Sequence, residues 1–186
     1  MIELVLCHDS EQWNEFILDN GGHPLQLWGW GQVKAGHGWT ALRFFAVQDD
    51  DTVGAAQVLV RKLPAPLTSL AYIPRGPLTI SREFNTEFLR LVAEYVKREH
   101  KSVAVTIEPH DLDFRAPEGW KRSKNKILSS DTILLDITQS ESDLLAAMAK
   151  KTRQYIRKSA SEGISIKRVT SPADVQECLH MYEQTS

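Results

Sequence analysis

The sequence predicts a mixed α/β (α+β) fold, in which a mostly antiparallel sheet is flanked by helices. Short runs rich in Val, Leu and Phe alternate with turn residues between positions 41 and 73, as in consecutive antiparallel strands. Apolar side chains in residues 84–96 recur at helical spacing. The 186 residues, 42% apolar and 25% charged, have the composition of an ordinary globular domain, which excludes a disordered chain and a low-complexity fibre.

The first elements are a short apolar strand at residues 2–6 and a helix at residues 11–19. Ser10 is predicted to cap this helix, since a hydroxyl oxygen can accept the unpaired amide protons of the first turn. The aromatic, Gly-rich residues 25–39 predict a short helix inside an irregular segment.

Three strands follow, at residues 41–48, 53–63 and 69–73, and the turns between them predict an antiparallel meander. After the turn at residues 74–77 comes the clearest amphipathic helix of the chain, at residues 84–96. The strand after it, residues 102–108, ends before Pro109.

The last part of the chain predicts two further strands and three helices. Residues 131–137 and 164–169 are the strands, and Ser140 with Asp143 forms a capping box that starts the first helix. The second helix, residues 150–162, stops at Gly163. The third opens at Ser171-Pro172 and runs to Ser186 without a stop signal, so we expect a truncated chain.

The net charge of −2 conceals an uneven distribution. Residues 121–168 contain 11 basic and 5 acidic side chains, a local net charge of +6 that favours binding to phosphate groups. No signal peptide or spanning segment is recognisable, which predicts a cytoplasmic protein. Cys7 and Cys178 lack metal-ligand spacing, and we expect both to be buried and no metal to be bound.

The common catalytic motifs are absent from the sequence. There is no G-x-S-x-G, H-E-x-x-H, Walker or G-x-G-x-x-G pattern, so hydrolase, zinc-protease and nucleotide-binding functions have no support. The pairs His8-Asp9 and His110-Asp111 are sequence neighbours, and a surface position explains both histidines.

Three motifs stand out: WGWGQVKAGHGW at residues 28–39, YIPRGP at 72–77 and KTRQYIRK at 151–158. In this order and at these separations they resemble the FemABX aminoacyltransferases, which build the interpeptide bridge of peptidoglycan. The element order also resembles a GNAT-like acyltransferase. The resemblance implies a first GNAT-like domain at residues 1–139, followed at 140–186 by linking helices and the start of a truncated second GNAT-like domain.

The activity that the resemblance implies is the transfer of an amino acid from aminoacyl-tRNA to the stem peptide of a peptidoglycan precursor. The precursor is UDP-MurNAc-pentapeptide or a lipid-linked form at the inner membrane surface. Conversion of an ester to an amide needs no ATP, metal or coenzyme, so no cofactor is expected. The enzyme would act by holding two anionic substrates in line. Because most of the second domain is absent, we expect the 186-residue chain alone to be inactive.

Lys34, Trp30, Tyr72 and Arg75 are the substrate-binding candidates. Lys34 is a lone cation among aromatic and Gly residues and matches the family's precursor-binding lysine in W-x-x-V-K, although a solvated lysine has the same pattern. Arg75 lies on a proline-flanked turn that could aim its guanidinium at a substrate or bond it to nearby carbonyls.

Glu108 is the candidate general base, because it ends a strand where the family often has Asp-Pro. The tRNA-binding candidates are the cations of one helix, which lacks balancing acids before Glu162, although a solvated face or pairing with first-domain carboxylates would also explain them. They are Lys150, Lys151, Arg153, Arg157 and Lys158.

Two other functions are considered. An acyl-CoA-dependent N-acetyltransferase needs a Gln/Arg-x-x-Gly-x-Gly/Ala loop, which follows none of the predicted strands. A non-catalytic RNA-binding module would place aromatic residues beside the basic face, whereas the Trp residues lie elsewhere. The chain departs from the family pattern at residues 125–129, where many members have Gln-Pro before the next strand and this chain has Lys126-Ile127-Leu128-Ser129.

Overall fold

The structure is a computed structural model that describes residues 1–111, 113–129, 131–166 and 168–185. The chain divides into two compact units, Met1–Ser130 and Asp131–Ser186. Each unit is considered by itself below.

Six strands of the first unit form one mixed sheet. They are β1 Glu3–Leu6, β2 Trp39–Gln48, β3 Asp51–Lys62, β4 Ser69–Pro74, β5 Leu78–Thr79 and β6 Ser102–Glu108. The strand order is β1-β2-β3-β4-β6, with β5 paired to β3. Every pair is antiparallel except β4 with β6, which is parallel. The predicted fold class and the meander β2-β3-β4 are confirmed.

The β2–β3 hairpin is closed by two residues, Asp49 and Asp50. Their φ angles of 51° and 69° lie in the left-handed region. Two-residue hairpin turns favour this region because their backbone twist then matches that of the strands, and Asp tolerates it better than most residues.

The helices of the first unit are α1 Ser10–Asp19, α2 Trp28–Ala35 and α3 Phe84–His100, with a 3₁₀ turn at Pro24–Gln26. The predicted cap of α1 is wrong by one residue. Asp9 is the cap, because its carboxylate accepts the backbone N–H groups of Glu11 at 2.8 Å and Gln12 at 3.2 Å. Ser10 is the first residue inside the helix.

The sheet buries apolar side chains on both faces. Successive residues of a strand point to opposite faces, and Phe44 and Phe45 accordingly belong to separate clusters. Phe44 packs with Phe88 and Val92 of α3, whereas Phe45 packs with Trp13 and Ile17 of α1. The amphipathic pattern that predicts α3 is therefore the pattern of its buried face.

The second unit contains α4 Glu141–Ala147, α5 Lys150–Ser161 and α6 Pro172–Thr185. The predicted cap at Ser140 is confirmed, since its hydroxyl accepts the Asp143 N–H at 3.2 Å. Gly163 follows α5 with a φ of 75°, as expected of a glycine just past a helix end. No residue of α4, α5 or α6 is buried.

Three predictions for the second unit are wrong. Residues 131–137 form no strand, and Ile133, Leu134 and Leu135 are 85%, 91% and 78% exposed. Residues 164–166 and 168–169 form none either, while Lys167 lies outside the described residues. A strand needs a paired neighbour, and the described part of this unit provides none. Cys178 is exposed, unlike the buried Cys7.

Among the residues that the structure describes, no helix combines the length and the hydrophobicity needed to cross a bilayer.

Candidate functional site

The carboxyl ends of β4 and β6 bring three of the predicted site residues together. The two strands run in parallel and pair Pro74 with Glu108. The Tyr72 hydroxyl donates a short hydrogen bond to Oε2 of Glu108. Arg75, in the turn directly after β4, influences the pKa values of both residues.

Glu108 and Arg75 hold the segment 127–129. Oε1 of Glu108 accepts the backbone N–H groups of Ile127 at 2.7 Å and Leu128 at 3.1 Å. The Arg75 guanidinium donates to the carbonyl oxygen of Ser129 at 2.8 Å. These contacts reach main-chain atoms, so the segment in which the sequence departs from the family that it resembles is anchored through its backbone.

The electrostatics of this cluster favour an ionised carboxylate. Burial alone raises the pKa of Glu108, but the hydrogen bonds from Tyr72, Leu128 and Ile127 and the charge of Arg75 bring that pKa below its ordinary value. Burial and the hydrogen bond to Glu108 raise the pKa of Tyr72, which keeps the phenol protonated. Arg75 has a φ of 51°, an unfavourable backbone conformation for a residue with a Cβ.

Lys34 and Trp30 lie apart from this cluster, on α2. They are one helical turn apart, and the Lys34 Nζ is 4.8 Å from the centre of the Trp30 ring. At that distance the ammonium is attracted to the ring face, which restricts where it can point. Both side chains are half-buried.

Gln26 connects α2 with the turn that carries Arg75. Its side chain is fully buried, with Nε2 donating to the Pro74 carbonyl at 2.5 Å and Oε1 accepting the Gln57 N–H at 2.7 Å. The indole N–H of Trp13 donates to the backbone carbonyl of Gln26 at 2.7 Å. Gln26 thus fixes the segment before α2 against the end of β4, and sequence reasoning missed it.

Arg43 and Gln57 also hold the α2 segment and were also missed. They are register partners on β2 and β3. The Arg43 guanidinium lies 3.6 Å from the centre of the Trp28 ring and donates to the Trp28 carbonyl at 2.9 Å. Nε2 of Gln57 donates to the carbonyls of Leu25 and Leu27. The signal in the sequence that could have identified Arg43 and Gln57 is a polar side chain inside an otherwise apolar strand.

Burial lowers the pKa of Arg43 to about 10, which leaves it charged at neutral pH. A buried cation is tolerated when hydrogen bonds and an aromatic face replace its hydration.

The five cations predicted to bind tRNA all lie on α5, but they are not equivalent. Arg153 donates to the carbonyls of Ala146 and Met148, and so satisfies the C-terminal end of α4. Lys158 lies 3.4 Å from the carboxylate of Glu162, and Lys151 lies 5.6 Å from the centre of the Tyr155 ring. Lys150, Lys151, Arg157 and Lys158 are exposed.

The lowered pKa of Glu108 leads to a pH-dependent stability. The pKa of Glu108 in the folded protein lies below the ordinary value of 4.5, so the ionised carboxylate stabilises the folded state. This stabilisation is complete above pH 4.5 and is lost as the pH falls through the folded pKa. Replacing Tyr72 by Phe removes one donor, so we expect the pKa of Glu108 to rise and the loss to begin at higher pH. Carboxyl ¹³C NMR and unfolding curves between pH 2 and 6 measure both effects.

Tyr155→Phe is the matched control, since Tyr155 is an exposed residue of α5. A Glu108 pKa at or above 4.5 in the wild-type chain, or one that Tyr72→Phe leaves unchanged, would contradict this description of the cluster.

Comparisons with known proteins place the chain in a family. The model of the FemAB family matches residues 9–116. A lipid II:glycine glycyltransferase of Staphylococcus saprophyticus is 29% identical over 163 residues, which are 79% of this chain and 39% of that protein. One from Staphylococcus aureus is 27% identical, covering 86% of this chain and 42% of its own length.

A solved structure of FemX superimposes with a TM-score of 0.73 at 25% identity, over 90% of this chain and 46% of the other. The chain thus spans less than half the length of these relatives. Since the family model matches more than half of the chain and includes the ends of β4 and β6, the chain belongs to the FemAB family.

Proposed function

We propose that this chain forms the precursor-binding part of an aminoacyltransferase that transfers an amino acid from aminoacyl-tRNA to the stem peptide of a peptidoglycan precursor. The observation that carries the proposal is the cluster of Tyr72, Arg75 and Glu108 in a chain of the FemAB family. Two similar proteins are named as lipid II:glycine glycyltransferases, which favours a lipid-linked acceptor over UDP-MurNAc-pentapeptide.

Lys34 is proposed to bind the diphosphate of the precursor. An ammonium is a strong point-charge partner for phosphate oxygens, and its contact with the Trp30 ring reduces the freedom that binding must remove. The bonds of Gln26, Arg43 and Gln57 fix the start of α2, on which both residues lie.

In the proposed reaction, an amine of the stem peptide attacks the ester carbonyl of the aminoacyl-tRNA. A C–N bond forms and the C–O bond to the tRNA ribose breaks. The amine loses a proton, and the ribose oxygen of the leaving tRNA takes up a proton to become a hydroxyl. Glu108 was the predicted base, but its lowered pKa and its hydrogen bonds to 127 and 128 make it a weak one. We therefore propose that Glu108 positions this segment and that a substrate phosphate accepts the proton.

The exposed cations of α5 are proposed to contact the phosphates of the tRNA. Lys150, Lys151 and Arg157 are the best candidates, because Arg153 is bound to the end of α4 and Lys158 lies beside Glu162. Contacts of this kind make affinity fall with salt concentration.

The proposal also assigns the protein a location and a domain organisation. We propose that the protein acts in the cytoplasm, at the inner membrane surface if the acceptor is lipid-linked. Residues 1–139 form a first GNAT-like domain, and residues 140–186 begin a second. Because the chain spans under half of its relatives, complete transfer is expected to require the regions of those proteins beyond the alignment.

A transfer assay on the full-length protein tests this function. Glycyl-tRNA is supplied with either lipid II or UDP-MurNAc-pentapeptide, and mass spectrometry detects a precursor extended by one residue. We expect extension of lipid II, and in a Lys150→Ala/Lys151→Ala/Arg157→Ala variant we expect more tRNA to be needed for the same rate.

A parallel reaction with acetyl-CoA as the donor distinguishes the proposed aminoacyl transfer from N-acetyltransferase activity. An acetylated product without aminoacylated precursor would contradict the proposal in favour of an N-acetyltransferase. Binding of tRNA without any extended precursor would contradict it in favour of an RNA-binding module.

A further inference from the structure

A pocket of about 290 Å³ lies in the first unit, beside the end of β4. It is bounded by the residues that follow α1, by the turn and short strand after β4, and by the loop after β6. One part of its wall carries His23, Arg75 and His110, while Leu78, Ile80 and Phe114 make another part apolar. The pocket therefore combines hydrogen-bond donors with a hydrophobic surface.

The two imidazoles are in contact. Their ring centres are 5.1 Å apart, in an edge-to-face arrangement. Nδ1 of His23 accepts the backbone N–H of Leu25 at 3.1 Å, so a neutral His23 has its proton on Nε2. Burial, His110 and Arg75 together lower the pKa of His23, since burial and nearby cationic groups both disfavour the charged imidazole.

The acidic group of the pocket is already paired. Asp111 lines the wall, but its carboxylate accepts from Arg82 at 2.9 Å, and Arg82 also bonds to Asp113 at 3.1 Å. Arg75 uses one Nη2 contact on the Ser129 carbonyl, and a guanidinium has five N–H donors. The wall thus keeps unused N–H donors on Arg75, while the charge of Arg82 is already paired with two carboxylates.

We propose that this pocket binds the C-terminal carboxylate of a peptide. The carboxylate is held between His23, His110 and Arg75, and the last side chain packs against Leu78 and Ile80. Ile80 is 57% exposed, so its side chain is accessible to a ligand in the pocket.

The apolar wall distinguishes a peptide end from a bare phosphate, because an inorganic ion gains nothing from it. Ser81 and Asn85 also line the pocket and offer hydrogen bonds to a peptide group. The inference stands apart from the transfer reaction, since a short peptide without tRNA or precursor is enough to test it.

The test follows the ring signals of ¹⁵N-labelled histidines while N-acetyl-alanyl-alanine is added. We expect saturable shifts at His23 and His110 and none with the same peptide as its C-terminal amide. His23→Gln and Arg75→Gln are each expected to weaken binding by about tenfold or more, as for the loss of a hydrogen bond to a charged group. His8→Gln, a change at an exposed residue, should bind as the wild type does.

The pH dependence gives a second readout. Affinity should be higher at pH 6 than at pH 8, because the bound carboxylate stabilises the protonated form of His23 and so raises its pKa. The charged groups around it are His110, Arg75, and Arg82 with its partners Asp111 and Asp113, and the arginines and carboxylates keep their charge across this range.

Three results would overturn the inference. Equal binding of the amide would show that the carboxylate is not recognised, and inorganic phosphate binding as tightly as the peptide would reduce the pocket to a general anion site. Unshifted signals with the peptide at both pH values would show that no carboxylate binds. If His23→Gln does not fold, Arg75→Gln provides the same comparison.

Discussion

Replacing Gly31 by Ala is expected to lower the free energy of unfolding by about 3 kcal/mol, the upper part of the usual range for overpacking a core. Gly31 is buried in α2 where that helix meets the sheet. A Cβ there would overlap the Arg43 guanidinium and the Gln57 carboxamide and would lie 2.9 Å from the Cβ of Ala41. Substitution must therefore push α2 away from β2 and β3.

The Arg43 and Gln57 side chains beside Gly31 cannot move aside without breaking contacts of their own. Arg43 is held by the ring and the carbonyl of Trp28, and Gln57 is held by the carbonyls of Leu25 and Leu27. Moving either side chain breaks buried hydrogen bonds, each of which costs about 1–3 kcal/mol when its partner is left unsatisfied.

Gly29→Ala is the matched control, since it lies on the same helix and its Cβ would meet nothing within 4 Å. Ala is the better helix former, so this variant should be as stable as the wild type or slightly more stable. Denaturant-induced unfolding gives the free energy of unfolding of the wild type, Gly31→Ala and Gly29→Ala. Equal stabilities of Gly31→Ala and Gly29→Ala would contradict the described packing of α2.

The elements that sequence predicts well are those with local signals. The β2–β3 hairpin and α3 follow from apolar periodicity and turn residues a few positions apart. Residues 131–137 have the same kind of pattern, yet they form no strand, because a strand also depends on a neighbour that its own sequence does not specify.

The site was predicted residue by residue but not as an arrangement. Tyr72 and Arg75 belong to one motif and Glu108 to the end of a later strand, and the parallel pairing of β4 with β6 brings them together. The bonds from Glu108 to residues 127 and 128 join positions 19 and 20 apart in the chain, and no local pattern encodes them. The support from Gln26 is equally non-local, since its side chain bonds to β3 and β4.

Replacing Lys34 by Ala is expected to give the largest functional effect. If its ammonium binds the diphosphate of the precursor, removing it loses a charge-assisted hydrogen bond worth about 1.5–3 kcal/mol, or roughly a 10- to 100-fold weaker complex. The fold should be unaffected, because Lys34 is half-buried and its ammonium faces the ring of Trp30, a neighbour on the same helix. Lys34→Arg keeps the charge and should lose less affinity than Lys34→Ala.

The most direct test of the central claim is calorimetric binding of a water-soluble lipid II analogue with a shortened lipid tail to this chain. Lys62→Ala is the control, because Lys62 is an exposed lysine at the end of β3. We expect the wild type and Lys62→Ala to bind with equal affinity and Lys34→Ala to bind at least about tenfold more weakly. Binding by Lys34→Ala as tight as that of the wild type, or no binding by any of the three proteins, would contradict a precursor site on α2.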